Sequence, residues 1–343
     1  MGLWKKFIAV VAAGTMTAAM AACSGGAGTS GGGAGGGEQK VWKLAFNQTE
    51  THPQFIAMKK MGEELKKETD GRYSIDVFAN EQLGTQKDVA EMVQSGTVEM
   101  MLIGGPLMEN YNPDFVVFNL PYVFDTKEQQ AKVLADESIT GDLYKSLEAK
   151  NNISVVGGLH AGIRNVYNAK KPIKTPADMA GLKIRVQQSD AQIQMIAGMG
   201  GVGTPMGQGE VYTALQSGVL DGAENNETVY AQLKHDEVAK YYSYTRHLMI
   251  PDYLLINTQV MQGMSPEDRA VFDKLSKQAI EEANAGFDGY IAESLTAAKA
   301  ANAQINDDVD IEAFKAGTQK LVDSQVSANP TRQKLYDSVK SAG

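Results

Sequence analysis

Two arginines and one asparagine in this 343-residue chain stand where a carboxylate could be gripped. Arg185 lies in Leu182-Lys-Ile-Arg-Val186, a short strand pattern in which Leu182, Ile184 and Val186 face one way and Arg185 the other. Arg164 lies in the preceding strand pattern, Ile163-Arg-Asn-Val166. A guanidinium offers a planar fork of donors that matches a carboxylate, so two of them on neighbouring strands could hold one such group. Asn225 follows a strand at 219–223, beyond its carboxyl end, where open α/β sheets bind ligands. The competing reading is that both arginines make surface ion pairs, worth ~0 to 1 kcal/mol each.

Catalytic patterns are weaker. His52, His160, His235 and His247 lack the spacing of a zinc-binding helix. Gly198-Met-Gly-Gly-Val-Gly203 matches a dinucleotide fingerprint as a string, but it follows a helical pattern, whereas the fingerprint must follow a strand and open a helix. Gly28-Thr-Ser-Gly-Gly32 matches a nucleophile elbow, yet no strand precedes it. Asp307, Asp308 and Asp310 miss the spacing of a calcium loop and read as a solvated acidic turn. No cofactor, no metal and no placed acid/base pair is expected.

The single cysteine, Cys23, points to a compartment. Lys5 and Lys6 precede an uncharged stretch at 7–22, too short for the ~20 apolar residues that cross a bilayer and crowded with small residues at its end, as in a signal peptide. Met20-Ala-Ala-Cys23 resembles a bacterial lipobox, in which the cysteine takes the lipid; ordinary cleavage and secretion is the alternative. Residues 24–37 are Gly, Ala, Ser and Thr, a flexible tether spanning roughly 20 Å. The expectation is a signal peptide at 1–22 and a lipidated tether at 23–37, holding a body outside the cytoplasm on the membrane.

That body must position the arginines. Residues 41–47 alternate as a strand, 53–70 carry helical periodicity, 73–79 alternate again, 86–95 read as a helix and 98–103 as a buried strand. This is β-α-β-α-β, the order of a mostly parallel sheet covered by helices. The phrase repeats: Asp88 to Glu99 aligns without a gap to Glu210 to Asp221, each a helix stopped by glycine (Gly96, Gly218) and followed by a strand. Two lobes on one plan are expected. Strands are further expected at 153–159, 163–169, 182–187 and 252–259, with Thr175 capping a short helix in the loop 170–178. From Ser265, with Pro266 in first position, one helical pattern runs to about Asn302, ~55 Å if continuous and long enough to cross both lobes.

Without the signal segment the chain carries 30 basic against 41 acidic residues, which argues against nucleic acid or an anionic membrane surface as partner. No disulfide is possible within the chain, so stability must come from burial.

Three stretches carry a resemblance: Gly162-Ile-Arg-Asn165, Lys171-Pro-Ile-Lys-Thr-Pro-Ala-Asp-Met-Ala-Gly-Leu-Lys-Ile-Arg-Val186, and Pro205-Met-Gly-Gln-Gly-Glu-Val-Tyr-Thr-Ala-Leu-Gln-Ser-Gly-Val-Leu-Asp-Gly-Ala-Glu-Asn-Asn226. With Glu81-Gln-Leu-Gly84 and Asn119-Leu-Pro-Tyr-Val-Phe124, they make the chain from about Lys43 to the last helices similar to the solute-binding proteins of tripartite ATP-independent periplasmic (TRAP) transporters, dicarboxylate-binding type. The resemblance implies that Arg185 binds the substrate carboxylate, with Arg164 and Asn225 assisting. It implies a sodium-driven permease of separate small and large subunits as membrane partner. Gln187-Gln-Ser-Asp190 and Ala223-Glu-Asn-Asn226 resemble hexuronate-binding members more than those for short dicarboxylates or sialic acid. A hexuronate needs hydroxyl partners, which His52, Glu81, Gln187 and Asp190 could supply. Otherwise His52 caps the first helix, Glu81 is a loop carboxylate and Asp190 caps the next helix.

The expected fold is therefore α/β, a two-lobed periplasmic-binding-protein-like architecture with a cleft between lobes and a long helix spanning both. Residues 38–162 and 252–290 would form the first lobe, and 163–251 and 291–343 the second. The expected role is capture of a hexuronate, glucuronate or galacturonate, for delivery to the permease. A dicarboxylate binder, a sensory receptor and an enzyme acting on sugar acids are the alternatives.

Overall fold

The computed structural model describes residues 39–343; the signal segment, Cys23 and the Gly-rich tether lie outside it. Its eleven described strands are β1 (Lys40–Ala45), β2 (Tyr73–Phe78), β3 (Met100–Gly104), β4 (Ile153–His160), β5 (Arg164–Asn168), β6 (Lys183–Val186), β7 (Val202–Pro205), β8 (Gly222–Asn225), β9 (Tyr241–Leu248), β10 (Pro251–Asn257) and β11 (Gln304–Asn306). They form two sheets, ordered β2-β1-β3-β10-β4 and β11-β9-β5-β8-β6-β7. In each sheet β-α-β units give the parallel pairs. β10 then runs antiparallel between β3 and β4, and β5 antiparallel between β8 and β9.

Both sheets are covered on both faces, so their central strands are apolar in both registers rather than alternating. In the first, Met101, Ile103, Tyr253 and Leu255 enter one core cluster while Met100, Leu102, Leu254 and Ile256 enter the other. In the second, Val166, Ile184 and Val186 face one cluster, and Tyr167, Ala223 and Tyr242 the opposite one.

The repeated phrase corresponds to equivalent structural units. Helix Gln86–Ser95 ends at Gly96 with φ +78° and feeds central strand β3. Helix Val211–Gln216 is followed by Gly218 with φ +75° and feeds central strand β8. Both glycines take the left-handed conformation that closes a helix.

The long helix is Pro266–Ala300, capped by Ser265, whose hydroxyl accepts from Asp268 N at 3.1 Å. At 1.5 Å per residue it is about 53 Å long. Phe272, Leu275, Ala279 and Ala283 pack into the first lobe beside helix Pro53–Glu68, while Ala298 enters a core cluster of the second and Ser294 accepts from Gln232 Nε2. One helix thus braces both lobes.

The C-terminus departs from the expected division. Helix Ile311–Val326 straddles the lobes, with Phe314 and Leu321 in a core cluster of the second and Val322 and Val326 in a core cluster of the first. Helix Pro330–Ser341 instead buries Leu335 and Val339 in the first lobe's core, and Gln129 Nε2 donates to the Val339 carbonyl. Its apolar side fits a hydrophobic gap beside helix Lys127–Ala135, a destination that no local pattern encodes.

Candidate functional site

The cleft between the sheets is assembled at strand ends. β5 runs antiparallel to β8, with Asn165 opposite Asn225, so the start of β5 lies beside the carboxyl end of β8. This juxtaposition brings Arg164, the first residue of β5, against Glu224 and Asn225, the last two of β8. Arg185 sits in β6 with Ala223 of β8 on one side and Thr204 of β7 on the other. The two arginines are therefore not on neighbouring strands, as the sequence pattern suggested. β8 lies between β5 and β6, placing their backbones two strand spacings, ~9–10 Å, apart. Both arginines are almost fully buried, at 4% and 3% exposure, so neither is the surface ion-pair former of the competing reading.

Their partners differ in kind. Arg164 Nε and Nη2 donate to the two Glu224 carboxylate oxygens at 2.6 Å each, Nη2 also reaches the Glu224 carbonyl at 2.8 Å, and Nη1 donates to Asn225 Oδ1 at 2.8 Å. Burial alone would raise the Glu224 carboxyl, but the charge and hydrogen bonds of Arg164 prevail and hold it at about 2. His247, buried nearby with Nε2 3.4 Å from Glu224, is kept below its ordinary value by burial. Arg164 is thus neutralised from within the protein.

Arg185 has no carboxylate within ion-pair distance among the described residues. Nε and Nη2 donate to the Met206 carbonyl at 2.9 and 2.7 Å, and Nη1 reaches Gln208 Oε1 at 3.3 Å. Burial, reinforced by the Arg164 charge, lowers Arg185 to about 10. It still carries its proton at neutral pH, as an uncompensated buried cation. Such a group is costly unless an anion completes it.

The remaining walls are polar. One part of the cleft is lined by His52, Gln48, Gln86, Arg164, Gln187, Gln208, Asn225, Asn226 and Asp252. The adjoining part shares Gln86, Gln187 and Gln208 and adds Arg185 and Glu81. Gln187 Oε1 and Gln208 Nε2 are buried without a protein partner, although buried polar atoms are nearly always paired. Glu81 crosses between lobes, its Oε2 accepting from Gly209 N at 3.0 Å, and burial raises its carboxyl above the ordinary range.

Of the residues singled out from sequence, Arg164, Arg185, Asn225, His52, Glu81 and Gln187 converge here. His52 also caps helix Pro53–Glu68, its Nδ1 accepting from Gln54 N at 3.2 Å, so its two readings are compatible. Asp190 does not converge. It is exposed in the first turn of helix Asp190–Gly198, whose cap is Ser189. Five polar lining residues, Gln48, Gln86, Gln208, Asn226 and Asp252, were not singled out as site residues from the sequence. Gln86 and Gln208 sit in unremarkable helix starts, but Asp252 gave a signal, a carboxylate opening the apolar run Tyr253 to Ile256.

Comparisons with known proteins identify what the chain as a whole is similar to. The family model described as bacterial extracellular solute-binding protein, family 7 (DctP), matches residues 44–329. A TRAP periplasmic solute-binding protein from Anaerococcus prevotii, solved with α/β-D-glucuronate, is similar at TM-score 0.86 and 32% identity, over 89% of this chain and 98% of that one. One from Xanthobacter autotrophicus, solved with β-D-galacturonate, is similar at TM-score 0.83 and 33% identity, over 88% of this chain and 100% of that one. The 2,3-diketo-L-gulonate-binding periplasmic protein YiaO of Escherichia coli is 30% identical over 79% of this chain and 82% of its own length.

Proposed function

The chain belongs to the bacterial extracellular solute-binding protein family 7, and from that membership we propose that it captures a hexuronate, glucuronate or galacturonate, and delivers it to a TRAP membrane permease. The observation that carries the reading is how the two cleft arginines are partnered. Arg164 is neutralised by Glu224, which leaves Arg185 as one uncompensated cation for one carboxylate. A hexuronate brings one carboxylate and several hydroxyls, and the walls beside Arg185 are amides, an imidazole and carboxylates suited to hydroxyls. A short dicarboxylate would bring a second negative charge to a cleft that already holds Glu81 and Asp252. The hexuronate-bound relatives support the same assignment.

In this reading Arg185 binds the carboxylate, Arg164 and Asn225 shape the wall beside it, and His52, Glu81 and Gln187 meet the hydroxyls. The receptor captures without turnover, and its closed form docks on the permease. Cys23 carries the lipid that holds the body at the membrane, outside the cytoplasm.

The test is thermal unfolding of the purified protein against hexuronates, C4-dicarboxylates and neutral sugars. Ligand at a hundredfold its dissociation constant stabilises by about 2.7 kcal/mol, so a Tm rise of several degrees is expected with D-glucuronate or D-galacturonate. A rise with succinate or malate and none with the hexuronates would contradict the reading.

A further inference from the structure

The first lobe supplies a second chemical pole to the cleft, centred on Asp252. This residue lies in β10, paired with Gly104 of β3 and Leu159 of β4 in the interior of the sheet, so its backbone is fixed by two ladders. One carboxylate oxygen is spoken for. Gln54 Nε2 donates to Oδ2 at 3.0 Å, and the same amide, fully buried, reaches the His160 carbonyl at 3.3 Å. Among the described residues no other hydrogen bond reaches this carboxyl, and Arg164, across the cleft, is not within ion-pair distance of it. His52 lines the same part of the cleft, and Gln54 hydrogen-bonds both residues. Because His52 Nδ1 accepts the Gln54 backbone N–H, the ring proton sits on Nε2. Phe46, Phe287 and Tyr290 pack edge-on around the ring with centroids 5.3, 5.5 and 5.4 Å away, which fixes its plane. The same part of the cleft wall thus carries a preset acceptor and a preset donor.

We propose that Asp252 is a specificity-determining residue, whose second carboxylate oxygen accepts from ring hydroxyls of the bound acid while His52 Nε2–H donates to a neighbouring oxygen. The proposal rests on the hexuronate reading and adds to it what separates a polyhydroxy acid from a plain dicarboxylate. A hydroxyl can donate to Asp252, whereas a second carboxylate can only accept and would meet a like charge in a shielded site. Burial raises the Asp252 carboxyl to about 6, opposed by the Gln54 hydrogen bond and the Arg164 charge, so it is an ionised acceptor at pH 7.5. Burial likewise keeps His52 neutral, at about 3, preserving the tautomer that donates into the cleft. Sites built to bond a hydroxyl reject analogues lacking it far better than apolar pockets do.

The experiment is calorimetric titration at pH 7.5 with D-glucuronate, and with succinate in competition, of wild type, Asp252→Asn, Asp252→Ala and Arg185→Ala. The Asn variant keeps an amide oxygen for Gln54 but turns the free acceptor into a donor, so a merely structural role would survive it. The expected result is a ten- to hundredfold loss of glucuronate affinity in both Asp252 variants, the size of a charged hydrogen bond, with succinate not weakened. Unchanged glucuronate affinity, or an equal loss for both ligands, would overturn the assignment while leaving the hexuronate reading intact. Full glucuronate binding by Arg185→Ala would instead sink the parent reading. A wild type that binds no hexuronate would sink both.

Discussion

At the scale of single residues, two buried arginines of the same type play opposite parts. Arg164 completes an internal ion pair, whereas Arg185 has no carboxylate partner within ion-pair distance among the described residues. Arg164→Ala would strand Glu224 as an unpaired buried carboxylate, a loss of about 3–5 kcal/mol, which calorimetry should register as a Tm drop of about 5–8 °C. A melting point unchanged by this substitution would mean that the pair is not the buried bidentate contact described. Arg164 and Arg185 stood out in the sequence because a polar group inside an apolar strand pattern asks for a reason, and Asn225 because it lies at the carboxyl end of a strand pattern. Asp252 carried the same signal at the head of its strand. Asp190 was misplaced because Ser189, one residue earlier, takes the capping role and fixes where the helix begins.

At the scale of elements, the β-α-β units and the glycine-stopped repeat follow from local periodicity, which is why their positions were readable. Strand order does not follow from it. The insertion of β8 between β5 and β6, and of β10 between β3 and β4, depends on pairings between residues far apart in the chain. Elements also meet across the cleft. Glu109, just past helix Gly105–Met108, accepts from Asn119 Nδ2 at 2.9 Å and from Ser189 Oγ at 2.7 Å, joining the first lobe to the cap of a second-lobe helix. Burial raises its carboxyl to about 7, against the two hydrogen bonds that favour the ionised form. A carboxyl raised on folding favours the native state fully below its unfolded value near 4.5, and that advantage is lost as pH rises through 7. Glu109→Gln removes the titration, so the Tm of the variant relative to wild type should climb between pH 4.5 and 8. A difference that stays flat across this range would show that Glu109 ionises freely in the folded protein.

At the scale of the whole molecule, the chain passes between lobes at 161–163 and 249–250, and the long helix runs along both. Gly162 takes φ +79° at the first crossing, and a Cβ there would lie 2.9 Å from Asn226 and 3.0 Å from Phe287, a close approach that only glycine permits. Two lobes were foreseeable from the repeated helix–glycine–strand phrase, and a bracing helix from the length of one periodic pattern and its Ser-Pro start. The return of the last helix to the first lobe was not, because only the assembled core defines the gap it fills. In the proposed reading, a ligand held between the arginines of the second lobe and Asp252 and His52 of the first would gain contacts in a closed arrangement that an open one lacks. The central claim is that Arg185 supplies the charge that holds the solute. Isothermal titration of D-glucuronate into wild type and Arg185→Ala, at matched pH and salt, tests it directly. The account predicts saturable binding that weakens at least about thirtyfold in the variant, the low end for truncating a buried charge contact, while the ligand-free variant melts no lower than wild type. Equal affinity in the two proteins would contradict it.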